Sequence, residues 1–190
     1  LKNICVFCGS NRGKNLENLN AARHLGKVLA QRNLMLVYGG GNVGMMGALA
    51  DSVLEFGGKV TGAITKSLVD LEVAHLTLTE LIVVETMHER KSTMANLADA
   101  FIALPGGFGT LEEIFEVLTW GQLGIHRKPC GLINVNHYYD DLIGFLKNSV
   151  KEKFIAPQHF SMLMVEENPE ILLDRFITYQ PPIGSKLLER

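Results

Sequence analysis

Residues 105–113 read PGGFGTLEE, a run of glycines followed by a threonine hydroxyl and paired carboxylates. Glycine lets consecutive backbone N–H groups approach an anion with no Cβ in the way. A helix that starts here adds partial positive charge, so the segment suits a phosphate monoester. Thr110 followed by Glu113 also fits a capping box, with Thr110 as N-cap and Glu113 returning to its N–H. A cap alone does not call for three glycines and a proline just upstream. The phosphate reading therefore places the anion at Gly107–Thr110 and points Glu113, one turn in, at the sugar. A carboxylate beside the phosphate would repel it.

Met87-His88-Glu89-Arg90-Lys91 opens the preceding helix, just before the strand that feeds the glycine loop. Arg90 can pair with a phosphate or polarise a base, and Lys91 can add charge. Adjacent basic residues on a polar helix face are equally compatible with plain solvation. Two other strand ends run into glycine, Cys8-Gly9-Ser10 and Tyr38-Gly39-Gly40-Gly41. In an open parallel sheet such turns gather where ligands bind, which brings Ser10 into the candidate set.

Gly39-x-Gly41-x-x-Gly44 satisfies the bare dinucleotide pattern, but it follows the second strand, and the strand after it ends without an acidic residue. Tight turns and close helix–sheet packing explain it better. No Gly-x-x-x-x-Gly-Lys-Ser/Thr occurs. Cys5 and Cys8 stand three apart within a strand, so they point to opposite faces and read as core residues rather than a redox pair. The six histidines show no paired metal spacing, and no Gly-x-Ser-x-Gly elbow is present. Neither a metal nor a cofactor is expected.

These residues need a scaffold, and the chain supplies one by alternation. Strands are expected at Ile4–Cys8, Leu34–Tyr38, Lys59–Ile64, Leu81–Val84, Ala100–Leu104, Pro129–Val135 and Met162–Val165. Helical spacing begins at Leu16 and recurs through Leu29, then over Met45–Phe56, Met87–Ala98, Leu111–Leu123, Tyr138–Lys151 and Pro169–Phe176. The strands are apolar throughout instead of alternating, as burial on both faces demands. The expected fold is α/β: one domain over 1–180 with an open, Rossmann-like parallel sheet and helices on both faces, then a loosely held tail from Pro181. Ser67–Glu80 reads as an irregular loop reaching across the ligand face.

The bulk numbers fit this picture. The 190 residues are 47% hydrophobic and 20% charged, with 18 basic and 20 acidic side chains and a net charge of −2. No block of positive charge offers a nucleic-acid surface or a polybasic membrane patch. No apolar run reaches the length of a membrane span, and no secretory signal is visible, although the chain does not begin with Met. Three cysteines without a disulfide spacing fit a reducing cytoplasm.

Together the motifs resemble the LOG ("lonely guy") family. The resemblance rests on Arg90-Lys91 with Met94, Asp99–Leu104, PGGFGTLEE, Thr119-Trp120, Gln122–His126, Lys128-Pro129, and Gly131–Val135 with Tyr138-Tyr139. With Cys8-Gly9-Ser10 and GGGNVGMMG it spans Ile4 to about Pro157. It implies a homodimer that cleaves the N-glycosidic bond of cytokinin riboside 5′-monophosphates, and often of AMP, giving free base and ribose 5-phosphate. The implied ligand residues are Glu72, Arg90, Lys91, the stretch Gly107, Phe108, Gly109, Thr110, Leu111, Glu112 and Glu113, and Thr119. Arg90 and Glu113 are the implied catalytic pair. Phe108 stands where the family commonly has tyrosine, so a ring is kept and a hydroxyl lost. Similar sequences have also been labelled lysine decarboxylases, but no PLP-binding lysine motif stands out. The main rival is a non-catalytic nucleotide or cofactor carrier on the same fold, which needs the loop but not the pair. A nucleosidase directed at AMP alone is the other.

Overall fold

The computed structural model describes residues 1–71 and 73–182. Along the chain run β1 (Asn3–Phe7), α1 (Leu16–Gln31), β2 (Met35–Tyr38), α2 (Gly44–Glu55), β3 (Val60–Thr65), α3 (Lys66–Asp70), β4 (Glu80–Val84) and α4 (Met87–Leu97). They are followed by β5 (Ala100–Ala103), α5 (Phe108–Gln122), β6 (Cys130–Ile133), α6 (Asp140–Lys151), α7 (Pro157–Phe160), β7 (Leu163–Glu166) and α8 (Pro169–Ile177). The seven strands form one sheet in the order β4-β3-β2-β1-β5-β6-β7, parallel at every pairing.

Strand periodicity splits the core into two layers. Ile4, Val6 and Cys8 face α1, α2 and α8, where Leu25, Leu49 and Leu172 are wholly buried. Cys5 and Phe7 face the other way, toward Met94 of α4 and Ile114 and Val117 of α5. Cys5 and Cys8 thus lie on opposite sides of the sheet, as their spacing requires. The two edge strands β4 and β7 depart from full burial, with Val83 of β4 exposed.

The strand order reverses at β1. From β1 the chain builds outward through β2 and β3 to β4, then returns to lay β5 on the other flank of β1. Outside the carboxyl ends of β1 and β5 the connections diverge, leaving the crevice in which such sheets bind ligands. Hydrogen bonds continue the pairing into the two turns: Leu104 N–H donates to Phe7 O (3.0 Å) and Gly9 N–H to Pro105 O (3.1 Å).

Two local expectations are corrected. Helix α5 begins at Phe108 with Gly107 as N-cap, three residues before the expected start, and has no side-chain cap bond. Thr110 and Glu113 therefore form no capping box, because both already lie inside the helix and Glu113 bonds to another element. The capping box belongs to α4, where Glu89 N–H donates to Thr86 Oγ1 (3.1 Å) and Thr86 N–H to Glu89 Oε2 (3.1 Å). Residues 67–71 and 73–80 are also more ordered than a loose loop. They contain most of α3, and Asn42 N–H donates to Val73 O (2.9 Å) while His75 N–H donates to Gly40 O (2.8 Å). Glu72, and the expected tail beyond Pro182, lie outside the described residues. Among the described residues no helix is long and apolar enough to cross a membrane.

Candidate active site

A cavity of about 430 Å³ opens at the β1/β5 crevice. The β5–α5 loop forms one wall, from Pro105 through Thr110, with Glu112 and Glu113 beyond it. Because Gly107 carries no side chain, nothing from the cap competes for the N–H groups of the first turn of α5. Those groups have no acceptor within the helix. No acidic residue occupies that first turn. The result is an uncapped helix N-terminus facing the cavity, an arrangement suited to an anion.

Arg90 enters from α4 and is fixed on three sides. Its Nε donates to Ala63 O (3.0 Å), Nη2 to Gly39 O (3.1 Å) and Nη1 to Glu113 Oε1 (3.3 Å). The Arg90 and Glu113 side chains are only 10% and 13% exposed, so their charges meet in a largely dry environment. Burial pushes the Glu113 carboxyl up to about 7; the Arg90 guanidinium opposes that shift and Glu112 adds to it. At neutral pH the carboxyl can therefore either accept or release a proton.

The glycine turn after β2 makes this placement possible. A Cβ on Gly39 would sit 1.8 Å from Arg90 Nη2. At Gly44, where φ is +60°, a Cβ would lie 2.1 Å from Ser10 O, so the turns after β1 and β2 interlock. The dinucleotide-like pattern is thus a packing device that seats the guanidinium.

Lys91 takes the opposite course. Its Nζ donates to Glu112 Oε1 and to Glu116 Oε1 (3.0 Å), and it does not line the cavity. The Glu112 hydrogen bond holds its ammonium above the usual lysine range against the opposing effect of burial. It ties α4 to α5. Of the other residues singled out from sequence, Ser10, Gly107, Phe108, Gly109, Thr110 and Glu112 line the cavity, with Phe108 94% exposed at its mouth. Leu111 packs instead against the buried cluster beneath α5. Thr119 is exposed further along α5, its hydroxyl bonded to Phe115 O (2.7 Å). Met46, Met87, Asn11 and Tyr138 also line the cavity and were not singled out as site residues. Met46, Met87 and Tyr138 stand in segments the sequence marked, but nothing local in them said that their side chains would meet at this cavity.

A family model described as possible lysine decarboxylase matches residues 46–176. The cytokinin riboside 5′-monophosphate phosphoribohydrolase LOG7 of Arabidopsis thaliana is 48% identical over 190 residues, covering 98% of this chain and 88% of its own. The chain belongs to the LOG family. A rice relative of this LOG chain, the probable cytokinin riboside 5′-monophosphate phosphoribohydrolase LOGL6, is 48% identical over 180 residues, 95% of this chain and 72% of its own. The LOG fold also matches the molybdenum cofactor binding protein of Rippkaea orientalis, with a TM-score of 0.70 at 23% identity over 94% of this chain and 99% of the other. The Chlamydomonas reinhardtii molybdenum cofactor carrier protein matches with a TM-score of 0.71 at 17% identity, over 94% and 99%. At these identities the likeness is one of fold.

The decarboxylase description would call for pyridoxal phosphate on a lysine. Among the described residues no lysine lines the LOG cavity. The nearby Lys91 is held charged by two carboxylates, whereas Schiff-base formation needs a neutral amine. The residues do not fit that cofactor.

Proposed function

We propose that the protein hydrolyses the N-glycosidic bond of cytokinin riboside 5′-monophosphates and of AMP, releasing free base and ribose 5-phosphate. The observation that carries this reading is the largely buried Arg90–Glu113 pair, 3.3 Å apart, in the same cavity as the uncapped start of α5. The names of the relatives point to the same reaction.

The 5′-phosphate docks on the N–H groups of Gly107–Thr110, with Ser10 at the rim. Binding energy far from C1′ then positions the reacting centre. As the C1′–N bond breaks, its electron pair leaves with the base and positive charge builds on the ribose. The Glu113 carboxylate stabilises that charge, as carboxylates do in glycoside hydrolysis. Water adds through its oxygen to C1′, and its proton passes to Glu113 and on to the departing base. Arg90 is a poor proton donor, but its cation, fixed in advance by two carbonyls, stabilises the negative charge on the base. The steps as written need no metal or organic cofactor.

Incubation with AMP and with isopentenyladenosine monophosphate, followed by assay for ribose 5-phosphate, tests the reading. Tight binding of both with no product would leave a carrier and remove the enzyme.

A homodimer accompanies this proposal. Thr119 stands six residues beyond Glu113 on α5, about 9 Å along the axis at the helical rise. It therefore serves the cavity of a second copy better than its own. We assign the protein to the reducing cytoplasm, where Cys5, Cys8 and Cys130 stay thiols.

A further inference from the structure

The turn between β6 and α6 is strained. Asn136 (φ 47°, ψ 40°) and His137 (φ 60°) are consecutive non-glycine residues in the left-handed region. Such conformations persist only where surrounding contacts over-determine them. Here Asn134 supplies those contacts: its Oδ1 accepts from Tyr139 N–H (2.7 Å) and its Nδ2 donates to Asp140 Oδ1 (2.7 Å). The turn delivers two tyrosines packed edge to face, with ring centroids 4.9 Å apart. Both hydroxyls reach the β5–α5 segment. Tyr139, buried, donates to Leu104 O (2.6 Å), and Tyr138, half exposed at the cavity, donates to Gly106 O (2.6 Å).

We infer that Tyr138 is a positioning residue, whose hydroxyl holds the Gly106 carbonyl so that the N–H groups following it stay aimed at the phosphate of the substrate. This rests on the phosphate-end reading proposed above. Gly106 is packed against Thr110 and the Gly9 backbone, but the residues after it are open: nothing lies within 4 Å of an added Cβ at Gly107 or Gly109. A chain this free loses much conformational entropy when it orders around an anion. The Tyr138 bond removes part of that cost before the ligand arrives, and the buried Tyr139 bond fixes the end of β5 from which the loop departs. The strain at Asn136–His137 has a counterpart here: an unstrained turn would carry the tyrosines elsewhere.

Tyr138→Phe removes one hydroxyl and keeps the ring. Calorimetric titration should show ribose 5-phosphate and AMP bound about fivefold more weakly than by wild type, as loss of one hydrogen bond implies, with adenosine unaffected. In the unliganded variant, amide hydrogen exchange at residues 106–109 should be faster. KM for AMP should move more than kcat. Equal affinity of the two proteins for ribose 5-phosphate would overturn the inference. Weaker ribose 5-phosphate binding with unchanged exchange would also overturn it, making the hydroxyl a direct phosphate ligand. Adenosine weakened by the same factor would reduce Tyr138 to a structural prop. Binding is read independently of turnover, so AMP that is bound but never cleaved sinks the hydrolase reading and leaves this comparison standing.

Discussion

Glu113 is a carboxylate that its surroundings hold near the midpoint of its titration. Burial pushes it up to about 7 even with Arg90 beside it, and its proposed work on the ribose needs the ionised form. kcat/KM should therefore fall as pH drops through about 7 and level off above it, which a pH–rate profile will show. The same shift acts on stability with a definite sign. A carboxyl whose pKa is raised on folding favours the folded state below its unfolded value of 4.5, and that contribution is lost as pH rises through about 7. Between pH 5 and pH 8 the wild type should accordingly lose melting temperature relative to Glu113→Gln, by on the order of 5 °C; parallel curves would contradict the assignment. Glu113→Ala should cut turnover by about a thousandfold while AMP still binds. Near-wild-type turnover there would reduce Glu113 to a structural partner of Arg90. Gly39→Ala tests the guanidinium without touching its charge. The added Cβ would lie 1.8 Å from Arg90 Nη2, so the side chain must leave its seat and turnover should collapse while the fold survives by circular dichroism.

At the scale of elements, α4 and α5 form the working unit, and their packing depends on charge as much as on apolar contact. Lys91 of α4 is buried between Glu112 and Glu116 of α5, the first more than half exposed and the second about a quarter. Lys91→Ala would leave carboxylates that water can reach in part, so the loss should fall below that of a fully buried broken pair, at about 2 kcal/mol in a urea titration. An unchanged urea midpoint would show that the two helices are held by Met94, Ile114 and Val117 alone. Thr86→Ala removes the side-chain acceptor that starts α4 and should cost about 1 kcal/mol. The start of α5 contrasts with that of α4. One helix is closed by Thr86 and Glu89, the other begins at a bare glycine, and the open one faces the cavity.

For the whole molecule, the switch in strand order at β1 decides where the site lies, and the proposed second copy decides whether it is complete. Light scattering should give twice the chain mass. Mixing and refolding Glu113→Ala with Thr119→Arg should restore about a quarter of wild-type turnover, because half the dimers are mixed and each holds one intact site. No recovery from two individually inactive variants would mean that Thr119 does not act across a dimer.

Much of this was legible without tertiary information, because it is written in local pattern. Apolar runs, three of them stopped by glycine, marked all seven strands to within two residues at either end, since burial on both faces of most strands of a parallel sheet leaves little alternation to confuse. PGGFGTLEE and Arg90 marked residues that meet at one cavity, since free N–H groups, a carboxylate and a cation are properties of residue type. Partnership was a different matter. Successive helical residues diverge by about 100°, so neighbours as similar as Arg90 and Lys91 go separate ways, one to the cavity and one to α5. Arg90 is seated by Ala63 and Gly39, 27 and 51 positions away, and Tyr138 reaches Gly106 across 32. The true start of α5 turned on the same point: Thr110 and Glu113 spell a capping box locally, but Glu113 bonds to Arg90 of another helix. The residue types of the site were set along the chain, and its geometry was set by the sheet order that brings distant strand ends to one crevice.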